Sequence, residues 1–147
     1  MADVLSPDQR SYCMSRIRGK DTKPEYTIRK GLFGMGFRYR LHDRSLPGCP
    51  DLVFPKYRAV ILVHGCLWHK HECESFRWPK TNAAFWKEKI TRNARNDAEN
   101  LVKLNAAGWR VLTVWECTLR RKPSVVLENV ITKVARWLEH GQKRLEI

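Results

Sequence analysis

Ten residues, His64-Gly65-Cys66-Leu67-Trp68-His69-Lys70-His71-Glu72-Cys73, hold three of the five histidines and two of the five cysteines. Thiolates and imidazoles at this density suit a transition metal, zinc first, because both are soft or borderline ligands. Cys66-x4-His71-x-Cys73 offers three ligands in one loop, whereas a closed structural zinc site takes four in a tetrahedron. Cys117 is the best fourth ligand. It follows a predicted strand at 110–115, just as the loop follows a predicted strand at 59–63, and parallel neighbours would place both ends side by side. Cys13 and Cys49 stand at no such strand end. A saturated set of Cys66, His71, Cys73 and Cys117 makes the expected zinc structural. It leaves His64 and His69, which flank the first ligand, for chemistry.

A second group is acidic. Gly48-Cys49-Pro50-Asp51 opens a short predicted strand, and the strand after it ends in His64. Pro-Asp at the start of such a hairpin is half of the carboxylate site with which restriction-type nucleases hold Mg²⁺. The other half is ordinarily an acid, a spacer and a lysine on the next strand. Here those positions read Val63-His64, so the second side-chain carboxylate is missing. Asp51 alone also suits a turn. Trp68 likewise reads equally as a lid on the metal loop or as a contact residue.

The elements that must position these groups follow from periodicity and caps. Ser6-Pro7-Asp8 starts a helix that carries Arg10, Arg16 and Arg18 and ends at Gly19. Thr22 caps a second helix, with Pro24 in its first turn and Glu25 in a capping-box position, running to Gly34 or Gly36. Strands are predicted over 37–41, 51–54 and 59–63 as an antiparallel meander. Asn82 caps a long helix to Ala107, with Gly108 at its end. Its buried stripe is Trp86, Ile90, Ala94, Ala98 and Leu101, beside a polar stripe of Lys89, Asn93 and Asn96. A fourth strand spans 110–115, parallel to the third. A loop spans 116–122, and Ser124 caps a last helix with Leu127, Val130, Ile131, Val134 and Leu138 inward. The order α-α-β-β-β-α-β-α predicts one α/β domain over 1–147, a mixed four-stranded sheet flanked by helices.

The 28 Lys and Arg against 15 Asp and Glu give a net charge of +13, which favours a polyanion and puts nucleic acid ahead of membrane. No apolar run is long enough to span a bilayer, and no signal-peptide core opens the chain. A cytoplasmic protein with reduced cysteines is the expectation.

Taken together, several segments resemble the very-short-patch repair (Vsr-type) DNA mismatch endonucleases. They are Met14 in the basic first helix, Asp21-Thr22-x-x-Glu25, Ser45-Leu46-Pro47-Gly48-x-Pro50-Asp51, and His64-Gly65-Cys66-x-Trp68-His69-x-His71-x-Cys73. Phe85-Trp86-x-Glu88-Lys89-Ile90-x-x-Asn93 and Gly108-Trp109-Arg110-Val111-Leu112-x-Val114-Trp115-Glu116-Cys117 complete the set. The resemblance implies a restriction-endonuclease-like core and a Mg²⁺-dependent enzyme. Such an enzyme nicks one strand 5′ of the mispaired T in T·G mismatches left by deaminated 5-methylcytosine. It further implies a monomer paired in function with a cytosine-C5 methyltransferase and a repair polymerase.

By the same resemblance, Asp51 holds Mg²⁺ with the backbone carbonyl of Val63. His69 is the general base, His64 faces the scissile phosphate, and Glu25 steadies the water and metal network. Cys66, His71, Cys73 and Cys117 hold the structural zinc. Met14, Leu67 and Trp68 form a wedge in the base stack, and Lys89 and Asn93 contact the mismatch. The N-terminal helix, within 1–20, contacts DNA. Leu67 departs from the usual aromatic, and Val63 from the common Thr, though a carbonyl is independent of side chain. A module of another class, a zinc-stabilised DNA-binding domain without catalysis, would also use the charge and the ligand loop. Asp51, His64 and His69 together favour the enzyme.

Overall fold

A computed structural model describes residue 8 and residues 22–71, 73 and 76–147. The expected first helix, Met14 and Cys13 lie outside the described residues. Within them the elements are α1 (Lys23–Gly34), β1 (Arg40–Leu41), β2 (Leu52–Phe54), a 3₁₀ turn (Pro55–Tyr57), β3 (Ala59–His64) and α2 (Ala83–Ala106). β4 (Arg110–Trp115), α3 (Glu116–Leu119), α4 (Ser124–His140) and β5 (Arg144–Glu146) follow.

Thr22 caps α1 as expected, its hydroxyl accepting from the Glu25 N–H at 3.4 Å, with Pro24 in the first turn. Ile28 and Leu32, four apart, point one face of α1 at the sheet and are fully buried. Gly31 is needed for a close approach. A Cβ there would stand 2.2 Å from Ile131 Cδ1 of α4. Asn82 does not cap α2: it is left-handed (φ 53°) and makes no capping bond. Ser124 is the first residue of α4, after Pro123, and the expected loop after β4 begins with the helical turn α3.

The sheet has five strands in sequence order, which corrects the expected four. β1, β2 and β3 are antiparallel neighbours, with Leu52 opposite Ile61. β3 and β4 are parallel over six pairs from Ala59↔Arg110 to His64↔Trp115. β5 adds to β4 in parallel, an edge strand of three residues, Arg-Leu-Glu, too short and too charged to read as a strand. Alternation along the strands divides two apolar clusters. Leu52, Phe54, Ile61, Leu112 and Val114 pack against α1 and α4, while Val53, Val60, Leu62 and Val111 pack with Leu101 and Leu104 of α2. Helices therefore cover both faces, which explains the near-continuous apolar runs of β3 and β4.

Arg110 ties the end of α4 to the sheet. Its guanidinium donates to the carbonyls of Trp137 (2.8 Å), Leu138 (2.6 Å) and Tyr57 (3.0 Å) and lies 4.8 Å over the Trp137 ring. Carbonyls left over at the helix C-terminus thus find a cation. Among the described residues no helix is long and apolar enough to cross a membrane.

Candidate active site and metal centre

Both ligand-rich groups gather where β3 and β4 end and β2 begins. The ladder between β2 and β3 stops at Leu52↔Ile61. Beyond it the Val63 N–H donates to Asp51 Oδ2 at 2.7 Å, so the backbone at Val63 meets a carboxylate instead of a strand. Asp51 is joined by two residues from other elements. Glu25, 1 % exposed, reaches down from α1, and His42 follows β1 with its Nε2 3.0 and 3.1 Å from the Glu25 carboxylate oxygens. His42 Nε2 lies 3.9 Å from Asp51 Oδ1. Glu25 also accepts from Arg29 at 3.4 Å. Its carboxylate is thus engaged inside the site, and capping, which satisfied the sequence pattern, is not its use.

Burial and the neighbouring Glu25 carboxyl push the Asp51 carboxyl up to about 8. Two carboxyls in a dry place resist being charged together unless a cation joins them. That makes the Glu25–His42–Asp51 group, whose ligand atoms lie within 4.8 Å of one another, a fitting seat for a hard divalent ion.

The second histidine group shares the same cleft. His64, the last residue of β3, stacks on His69 with ring centroids 3.7 Å apart and planes within 6°. His69 Nδ1 stands 2.5 Å from Asp97 Oδ2 of α2. A carboxylate only accepts, so the hydrogen sits on Nδ1 and Nε2 becomes the acceptor. Burial, and next the neighbouring His69 imidazole, pull His64 down to about 3, which keeps it neutral at physiological pH. A cavity of about 710 Å³ is lined by Asp51, Val63, His64, His69 and Asp97, and its rim includes His42 and Arg44.

The thiol cluster is separate. Cys66, His71, Cys73 and Cys117 bring one ligand atom each within 4.8 Å of one another. His71 Nδ1 lies 3.5 Å from Cys66 Sγ and 3.6 Å from Cys117 Sγ. An S-to-N edge of a zinc tetrahedron, with Zn–S ≈ 2.3 Å and Zn–N ≈ 2.05 Å, is about 3.6 Å. The donor set therefore matches zinc in type, number and spacing. Burial and the adjacent thiols push Cys66 up to about 12, a cost that a metal would relieve. Two tight turns shape the loop: His71 N–H donates to the Cys66 carbonyl (2.9 Å) and His69 N–H to that of Gly65 (3.2 Å). A Cβ on Gly65 would lie 3.3 Å from Trp68 Cδ1 and 3.4 Å from Glu116 Oε2, so a larger residue would press on the Trp68 side chain.

Among the described residues, the expected DNA contacts Trp68, Lys89 and Asn93 form a third patch. Trp68 meets Trp86 edge to face at 5.4 Å, and Trp86 meets Phe85 at 5.3 Å. Lys89 Nζ lies 5.5 Å from both indoles, and the Asn93 amide donates to the Trp68 carbonyl at 3.1 Å. Leu67 and Trp68 are half-buried, and Phe85 is 58 % exposed. Trp86 is thus no core residue, contrary to the stripe drawn from the sequence, and Ala98 is exposed. The rest of the expected stripe faces inward, Ile90 fully and Ala94 and Leu101 partly buried, and beside it Lys89, Asn93 and Asp97, four apart each time, are partly buried as well.

Sequence reasoning missed His42 and Asp97. The only signal for Asp97 was its position four residues past Asn93. His42 could have been found from hairpin pairing, since its N–H donates to the Asp51 carbonyl at 3.1 Å.

Comparison with known proteins accords with this geometry. The family model described as DNA mismatch endonuclease Vsr matches residues 2–75. The chain is 42 % identical over 138 residues to the DNA mismatch endonuclease Vsr of Escherichia coli K12, covering 94 % of this chain and 88 % of the relative. It is 45 % identical over 122 residues to the type II nicking enzyme V.NmeAIP of Neisseria meningitidis, covering 83 % and 87 %. It is 46 % identical over 119 residues to the type II nicking enzyme V.XorIIP of Xanthomonas oryzae pv. oryzae, covering 81 % and 88 %.

Proposed function

We propose that this chain, which belongs to the Vsr family of DNA mismatch endonucleases, nicks DNA on the 5′ side of the mispaired T in a T·G mismatch. The observation that carries the reading is the open cleft that Asp51 shares with the stacked His64–His69 pair and Asp97. Such mismatches arise when 5-methylcytosine deaminates, so the partners in function are a cytosine-C5 methyltransferase and a repair polymerase. The core is read as restriction-endonuclease-like, and the working unit as a monomer in the cytoplasm.

Mg²⁺, held by Asp51 and the Val63 carbonyl, would supply charge to the scissile phosphate and acidity to a water. The protein's own residues do the rest. Glu25, from α1, and His42, at the rim of the cleft, hold Asp51 in place. Asp97 fixes the His69 tautomer, so Nε2 takes the proton from the attacking water, and the same carboxylate steadies the imidazolium that forms. His64, neutral and flat against His69, keeps that ring from turning and presents a polar edge to the phosphate.

Zinc on Cys66, His71, Cys73 and Cys117 is structural. It leaves no open position in its ligand set and clamps the loop that carries Leu67, Trp68 and His69. Leu67 and Trp68, with Met14, wedge the base stack open, while Lys89 and Asn93 sit where they can meet the mispaired bases. A surplus of 13 positive charges supplies phosphate contacts that position the duplex without specifying it.

The test is a labelled duplex carrying one T·G pair, incubated with zinc-loaded protein and Mg²⁺ across a panel of flanking sequences. A nick 5′ of the T, absent from T·A duplex and absent in chelator, is the expected result. Binding with no nick on any flank would leave a DNA-binding module.

A further inference from the structure

We infer that Trp115 is a positioning residue: its indole links the His71 imidazole to the stacked His64–His69 pair and holds His69 in register with Asp97. The inference rests on the catalytic reading of His69 given above.

Four aromatic rings run in unbroken contact from the thiol cluster to the cleft. His71 lies flat on Trp115, with centroids 4.2 Å apart and planes within 6°. Trp115 meets His64 edge to face at 5.3 Å and 68°, and His69 at 6.4 Å and 65°. His64 then stacks on His69 at 3.7 Å. The backbone sets this order. His64 and Trp115 are paired end residues of β3 and β4, and each stands two residues before a cysteine of the cluster, Cys66 and Cys117.

Trp115 is 9 % exposed, yet it belongs to neither apolar core. Its Nε1 is buried and has no hydrogen-bond partner among the described residues. That is an expensive arrangement for an indole that only fills space, since a buried Trp ordinarily finds an acceptor. Three of its neighbours are imidazole rings, so its flat face and edges carry its role. The His69 ring is fixed at one edge by Asp97 and on one face by His64. Trp115 backs His64, and His71, once ligated, backs Trp115. Order in the ligand loop thereby reaches the general base through ring contacts as well as through the backbone.

The test compares Trp115→Leu with Trp115→Phe in the full chain. Zinc content, T·G duplex affinity, single-turnover nicking with Mg²⁺ and the ¹⁵N imidazole signals of His69 are measured for each. On the scale of a misplacement of order 1 Å, Trp115→Leu is expected to nick about a hundredfold more slowly, while Trp115→Phe stays within about threefold of the parent. Zinc content and mismatch affinity should stay level in both variants. The His69 signals should show one tautomer protonated at Nδ1 in the parent and the Phe variant, and averaged nitrogens in the Leu variant.

Parent-like nicking by zinc-loaded Trp115→Leu, or equal impairment of both variants, would overturn the inference. Should Trp115→Leu fail to fold or lose zinc, Trp115→Phe decides alone: near-parent nicking supports a planar-ring role, and a hundredfold loss refutes it. A parent that nicks no duplex speaks against the catalytic reading only. The His69 spectra then still decide, and identical spectra in the parent and Trp115→Leu would sink the inference.

Discussion

The thiol cluster and the carboxylate–histidine cleft sit at the same end of the sheet and are built on opposite plans. Three of the four thiol-cluster ligands come from one loop, and all four point at one another, 3.5–3.6 Å apart where the distances to His71 are measured. The cleft draws Glu25 from α1, His42 from the end of β1, Asp51 from the start of β2, His64 from β3, His69 from the loop and Asp97 from α2. All of these but Glu25 line a cavity of about 710 Å³. Both regions hold groups pushed far from their ordinary protonation, Cys66 to about 12 and Asp51 to about 8, each by burial first and like neighbours second. A closed soft set would relieve that cost by binding a metal for good. An open hard set keeps room for water and phosphate. One region therefore builds the loop, and the other uses it.

That division can be broken at either end, and the largest effect is expected from the closed cluster. Structural zinc in small metallo-domains contributes ~10–16 kcal/mol, and losing only ~4 kcal/mol of it would lower the melting midpoint of a chain this size by roughly 8–16 °C. Cys117→Ser should therefore fall well below one zinc per chain and melt early. Full metal content and an unchanged midpoint would remove Cys117 from the ligand set.

Asp97→Asn comes next. It leaves the shape of α2 intact but lets His69 take the wrong tautomer, so nicking should slow by about 10²–10⁴-fold, the range of general-base catalysis, with zinc and mismatch affinity kept. An unchanged rate would make the His69–Asp97 contact merely structural.

Trp68→Ala should weaken T·G binding by about 1–3 kcal/mol, the scale of base–aromatic stacking, and T·A binding much less, because the latter is mostly phosphate contact. Titrations of both duplexes at one salt concentration measure this, and equal losses would reduce Trp68 to a lid on the thiol cluster.

The smallest effect concerns pH. The Asp51 carboxyl is pushed up to about 8 from an ordinary 3.8 by burial and the Glu25 carboxyl. Its protonated form therefore favours the fold fully below about pH 4, and that contribution is lost as pH rises through about 8. Divalent cations replace the proton. The melting midpoint gained on adding Mg²⁺ should thus be larger at pH 9 than at pH 6, and equal gains would place the cation elsewhere.

The same contrast governs what could be read from the chain. Cys66, His71 and Cys73 were legible because they lie within one loop, and Cys117 because two parallel strands end together. From its local pattern Glu25 was legible only as a cap, its place in the site coming from the resemblance, since nothing local says that its carboxylate turns inward to His42. Asp97 was hidden in a polar stretch of α2, four residues past Asn93. Trp86 fell on a plausible core stripe, but the helix face that covers the site trades apolar contact for Lys89, Asn93 and Asp97. β5 escaped notice because an edge strand of three residues, two of them charged, has almost no periodicity to show.

The most direct test is Asp51→Asn, a change that keeps shape and removes one carboxylate from the cleft. The account expects zinc content and T·G affinity at parental levels with nicking lowered at least about a thousandfold, the several kcal/mol that a bound metal supplies. Nicking near the parental rate by that variant would contradict it, because the chemistry would then lie outside the cleft that Asp51, His64 and His69 define.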